Sequence, residues 1–169
     1  MATGDVTRAA GTTITWTSSG GDYAFTMSSI ADAAGQTAKK GDLGTPRATL
    51  YVMEIVVKSN VAPTAGGTYD IYWCNSRSVT DATDNAGNGD FTGSDAAFTV
   101  DTNSLADLDF ITSVVCSADA TTVFRKFVEF VPQTQWGFPV FVNNSGQTTG
   151  TTGTDHHVKI YPQVLNATQ

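Results

Sequence analysis

The chain has 169 residues, 40% of them hydrophobic, a formal charge of −7 and 15% charged residues, where an average soluble domain carries about a quarter. That length suits a single domain, residues 1–169 with a short N-terminal arm over 1–11, burying roughly two thirds of its unfolded surface without a disulfide staple. The nine basic residues cluster only at Lys39-Lys40 and Arg125-Lys126. A phosphate-tracking protein needs a concentrated positive stripe, so direct nucleic-acid binding is not expected. No run approaches the roughly 20 apolar residues of a membrane helix, and the N-terminus lacks the apolar stretch of a signal peptide. Folding in the cytoplasm, and partners that are proteins, are the expectations.

Residues 12–17 alternate Ile14 and Trp16 with threonine, SSGG at 18–21 turns the chain, and 22–27 puts Tyr23, Phe25 and Met27 on one face. This reads as a hairpin. Residues 28–44 lose the period of two and read as a connector. The longest apolar run, RATLYVMEIVVK at 47–58, has Tyr51, Met53, Ile55 and Val57 on one side and Leu50, Val52 and Val56 on the other. A half-solvated strand shows one polar face, so this one is expected to be buried on both, inside a sandwich or against another subunit. Residues 68–75 align Tyr69, Ile71 and Trp73 and are expected to pair with 47–58 through SNVAPTAGG.

Residues 76–97 become rich in Asp, Asn, Gly and Ser, which marks a long surface loop. Residues 108–116 and 122–131 flank SADAT and read as a second hairpin. In its second strand Phe124, Val128 and Phe130 share a face with Lys126, while Val123, Phe127 and Val131 share the other with Arg125 and Glu129. Neither face is clean, which predicts a bulge or a subunit contact around Arg125. Residues 136–143 and 156–161, joined by NSGQTTGTTGTD, complete the set. The pattern predicts an all-β, single-domain antiparallel β-sandwich, a jelly roll of about eight strands, with a closed barrel as the alternative.

Reactive constellations are hard to assemble from these residues. His156 and His157 are adjacent, so in a strand they point to opposite faces, and no G-x-S-x-G marks a nucleophile elbow. Asp81, Asp84, Asn85, Asn88 and Asp90 offer calcium-type oxygens, but the EF-hand spacing and its closing Glu are missing; turn chemistry accounts for them. Glu54 and Glu129 are isolated strand acids. Trp16, Trp73 and Trp136 could form a sugar platform, yet each sits in an alternating apolar set that favours the core. Cys74 and Cys116 read as buried free thiols. Neither a metal nor a cofactor is expected.

TITWTSSGGDYAFTM, APTAGGTYDIYW, LDFITSVVCSADATTVFRKFVEFVP and the closing WGFPVFVNNSGQTTGTTGTDHHVKIYPQVLN resemble, in order and kind, small tailed-bacteriophage virion proteins of jelly-roll type. The loop at 76–95 is longer than that pattern. The resemblance implies a capsid decoration or stabilising protein, not an enzyme, resident in the virion and held by contacts to the major capsid protein or another virion protein. It also implies a homo-oligomer, such as a trimer on a capsid threefold. A carbohydrate- or receptor-binding module of a tail or fibre is the alternative. The residues expected at contacts are Arg125, Lys126 and Glu129, with Asp81, Asp84 and Asn88 in the loop 81–95, and Thr149, Thr152 and His156 in the loop 146–157.

Overall fold

A computed structural model describes residues 6–167 except 46, 88, 90, 102, 120 and 121. Twelve strands lie among them: β1 (Val6–Ala10), β2 (Ile14–Thr17), β3 (Tyr23–Ala24), β4 (Ala34–Thr37), β5 (Gly41–Asp42), β6 (Leu50–Lys58), β7 (Thr68–Ser76), β8 (Ala96–Thr99), β9 (Asp109–Val115), β10 (Val123–Phe130), β11 (Trp136–Asn144) and β12 (His157–Ala167). One sheet runs β10-β6-β12-β2-β3, with β1 also on β12, and the other runs β8-β4-β11-β7-β9, with β5 also on β11. Setting aside the flanking strands β1, β3, β5 and β8 leaves two four-stranded sheets, β10-β6-β12-β2 and β4-β11-β7-β9. Among the links joining these eight, only β7 to β9 stays within its sheet. That is the jelly-roll sandwich the sequence predicts.

Aromatic rings join the two sheets. Trp16 of the first stands perpendicular to Trp73 of the second, with ring centres 5.8 Å apart; Trp73 meets Phe130 at 5.2 Å, and Tyr69 meets Phe124 at 5.9 Å. Tyr51, Met53, Ile55 and Val57 of β6 face this core and are fully buried. The opposite face of β6 is half-covered: Val52 is partly buried, whereas Glu54 and Val56 are buried. The two-sided apolar pattern of β6 therefore marks a central strand, flanked by β10 and β12.

Three pairings expected from sequence do not form. Residues 12–17 and 22–27 do not make a hairpin, because β3 returns parallel to β2, with Trp16 opposite Tyr23. The strands β6 and β7 lie in different sheets, as do β9 and β10. Alternation records which side of a strand is buried, and both sheets of a sandwich bury the same side toward one core, so the pattern cannot say which sheet a turn leads to. The bulge also lies elsewhere, between Ile71 and Tyr72 where β7 meets β9, while β10 runs in unbroken register along β6. Val6–Ala10, expected as an arm, is a strand on β12.

The connector at 28–44 and the loop at 76–97 hide β4, β5 and the start of β8. Their signal is missing because β4 buries polar side chains: the Gln36 amide donates to Asp95 at 2.6 Å, and the Thr37 hydroxyl donates to the Ser94 carbonyl at 2.7 Å. The loop thereby folds over the outer face of the second sheet. Cys74, Phe138, Val140 and Val142, all outward-facing there, are buried with Phe91, and Phe91 packs edge-on against Phe98 at 5.2 Å. Strand β12 also runs past Pro162, beyond the expected end at Tyr161. Proline is tolerated because its neighbour on that side changes from β2 to β1, and the Pro162 carbonyl still accepts from the Gly11 N–H at 2.8 Å.

Gly137 and Gly41 are paired across β11 and β5. A Cβ on Gly137 would stand 2.6 Å from the Trp73 indole nitrogen, and one on Gly41 would stand 2.5 Å from the Trp16 ring. Neither ring has room to retreat, since both tryptophans are fully buried. Gly137→Ala and Gly41→Ala should each destabilise the fold by about 1–3 kcal/mol, read as a lowered urea midpoint with unchanged slope; a midpoint at the wild-type value in both would show that the rings shift freely.

Candidate interaction surfaces

The residues expected at contacts separate into two groups. Arg125 and Glu129 stand exposed on the outer face of β10. Lys126, on the inner side of the same strand, donates from Nζ to the Ser113 carbonyl at 2.8 Å and so ties the edge strands β10 and β9 together. Thr152 is exposed at the start of a short 3-10 turn, Gly153–Asp155, and Asp84 is exposed in the long loop. Asp81 is half-buried beside Lys39. Asn88 lies outside the described residues.

Thr149 and His156 hold structure in place. The Thr149 hydroxyl donates to the Met27 carbonyl at 2.7 Å and accepts from the Ile30 N–H at 2.8 Å. His156 is 1% exposed; its Nδ1 accepts from the Lys58 N–H at 3.3 Å while Nε2 lies 3.0 Å from the Gly150 carbonyl. Only the neutral ring with its proton on Nε2 satisfies both contacts. These two residues therefore fasten the 145–156 loop onto the sandwich, and its contact-capable part narrows to the tip around Thr152.

The long loop has a centre that sequence did not reveal. Lys40 is buried, and its ammonium donates to the Ser76 hydroxyl at 2.8 Å and to the carbonyls of Ser78, Thr80 and Thr83 at 3.1, 2.7 and 3.1 Å. Burial lowers its pKa, while Asp81 acts in the opposite sense. The oxygens gathered around this lysine are a serine hydroxyl and three backbone carbonyls, not the carboxylate and amide oxygens that the composition offered as calcium ligands. Among the described residues no group of three His, Cys, Asp or Glu side chains is placed to hold a metal ion. Beneath the loop, burial pushes the Cys74 thiol up to about 12, and it donates to the Ala86 carbonyl at 3.3 Å. Lys39-Lys40 was visible in sequence only as a charge pair.

A second cluster was missed as a cluster. On the outer face of the first sheet the buried Glu54 accepts from the Tyr161 hydroxyl at 2.5 Å, and the Arg125 Nε lies 3.3 Å from its other oxygen. That bond to a carboxylate pushes the Tyr161 phenol up to about 12. The His157 Nε2 stands 3.9 Å from Glu54, beyond hydrogen bonding, and burial, followed by Lys159, lowers its pKa. The signal was Glu54 itself, one acid inside an apolar run. Its visible effect is positional: it holds the Arg125 guanidinium over the face of β10.

Apolar exposure concentrates nearby. Among the described residues, five of the eight exposed large hydrophobics, Phe110, Val115, Val123, Phe127 and Val131, lie on or directly beside the two edge strands β9 and β10. By contrast a concavity bordered by Asn75, Arg77, Asp84 and Gln133 is open and lined mainly by polar residues. Neither a protein-family model nor a curated protein sequence matches this chain.

Two tests follow from these arrangements. His156 and His157 are both held below the ordinary histidine value of 6.5, so between that value and the lowered one the unfolded chain binds protons that the folded chain does not. Stability is then full above about pH 6.5 and falls as pH drops through that window. Thermal melting at pH 7.5 and 5.5 should show the loss, and His156→Gln, itself costing about 1–3 kcal/mol, should reduce the pH dependence; an unaltered slope would place the titration elsewhere. Lys40→Met should remove the ammonium that the oxygens of Ser76, Ser78, Thr80 and Thr83 share, so Cys74 should react with a thiol reagent at least several-fold faster in folded protein. Unchanged labelling would mean that the loop stays closed without the ammonium.

Proposed function

We propose that this chain is a virion structural protein, an auxiliary capsid protein that decorates or stabilises a tailed-phage shell through many modest contacts to the major capsid protein or another virion protein. One observation carries the reading: exposed apolar residues gathered along one edge of a jelly-roll sandwich, on the edge strands β9 and β10. Exposed apolar residues scattered singly are ordinary, whereas their concentration along one edge marks contact with protein. The sequence resemblance supplies the particle, and repetition supplies strength, because linked weak contacts add as avidity. Few charges and many Thr, Ser, Asn and Gly residues suit such a surface.

A sugar platform built from the three indoles would need them exposed. Trp16 and Trp73 lie fully inside the core, and Trp136 is half-buried, which favours the structural role. Mass spectrometry of purified particles should find the chain in many copies, and imaging should place it on the shell. Val115→Asp, at the exposed end of β9, should reduce its occupancy several-fold while the isolated protein melts at the wild-type temperature. Absence from particles, or a glycan that quenches Trp136 fluorescence and competes with particle binding, would overturn the reading.

A further inference from the structure

Strand β10 ends the first sheet, with β6 as its only strand partner among the described residues. Such edges are ordinarily blunted by proline, bulges or short length. This one has eight residues, no proline and an unbroken register with β6. The inward charge that would discourage pairing, Lys126, is directed at β9 by its bond to Ser113. The edge is therefore long and regular, and its outer row sets the charges of Arg125 and Glu129 on either side of Phe127.

Its sequence is self-complementary when reversed. In VFRKFVEFV, residues 123–131, inversion about Phe127 sets Val123 against Val131, Phe124 against Phe130 and Arg125 against Glu129, with Phe127 against itself. We propose that a second copy of this chain pairs antiparallel along β10, about a twofold axis through Phe127, to make one sheet continuous across two subunits. A twofold contact uses the same patch on both partners, so every pairing occurs twice. Directly opposed side chains on paired strands stand about 5 Å apart, where opposite charges attract and like charges repel. The outer row of one copy reads Val, Arg, Phe, Glu, Val and meets Val, Glu, Phe, Arg, Val. Charge thus selects both the antiparallel direction and the register: a shift of two residues along either strand would break both Arg–Glu pairs. Glu54, 3.3 Å from the Arg125 Nε, positions the guanidinium on that face beforehand. The inference concerns the isolated chain and does not rest on the virion reading; it replaces the threefold implied by resemblance with a twofold.

The test uses full-length protein, light scattering after size exclusion, and charge exchange. Wild type should elute at about twice the 17.8 kDa chain mass. Arg125→Glu and Glu129→Arg each place like charges opposite one another twice, and each should weaken the dimer by roughly tenfold or more. Mixing those two variants should restore a dimer containing one of each, because their rows are again complementary; this rescue also shows that both had folded. Phe127→Cys should cross-link to itself under mild oxidation, whereas Val123→Cys, which faces Val131 of the other copy, should not; the native thiols of Cys74 and Cys116 are buried. A monomeric or trimeric wild type, mixed variants that stay monomeric, or equal cross-linking of the two cysteine variants would overturn the proposal. Dimerisation without particle binding would leave this inference standing and remove only the virion reading.

Discussion

The sandwich depends on the perpendicular contact between Trp16 and Trp73 at its centre. Each ring belongs to a different sheet, and each occupies space that a paired glycine of β5 or β11 leaves open. The Trp16 indole N–H donates to the Lys39 carbonyl at 2.8 Å, so the same ring that closes the core also fixes the backbone leading into Lys40. Core packing and loop placement are consequently one problem. The lysine can reach the carbonyls of Ser78, Thr80 and Thr83 because the tryptophan holds its chain.

That coupling explains the layering of the molecule. Inside lies the aromatic core between the sheets, and outside the second sheet lies a smaller apolar layer, Cys74, Phe138, Val140 and Val142 under Phe91. The outer face of the first sheet has no such cover. It carries Glu54 with Tyr161 and Arg125, then Phe127 and the rest of the exposed row. The part of one broad face over β11 is thus covered by the chain's own loop, while the exposed apolar residues of β9 and β10 gather at the edge where the proposed contacts need them.

The sequence was most legible where side chains alternate cleanly. Tyr51, Met53, Ile55 and Val57 announced the inner face of β6, and Tyr69, Ile71 and Trp73 announced that of β7. Strand partners were not legible, because inward alternation is common to both sheets and the turns at 59–67 and 116–122 carry no mark of crossing. Strand β4 escaped because Gln36 and Thr37 are buried through hydrogen bonds to Asp95, Ser94 and Ala96, a long-range satisfaction that no local window contains. The contact residues divided on the same ground. Arg125 and Glu129 face outward by their register, but the burial of Thr149 and His156 depends on Met27, Ile30, Lys58 and Gly150, most of them far away in the chain.

Many loops rich in Asp, Asn and Gly are ordered by a dissolved ion, and their shape then follows the ion's supply. Here the positive charge at the centre is covalently attached through Lys40. It cannot be chelated, diluted or exchanged, and it arrives with the chain as it folds. The Ser76–Thr83 backbone is in this sense a binding site permanently loaded by its own protein, so its geometry should be indifferent to the divalent content of the medium.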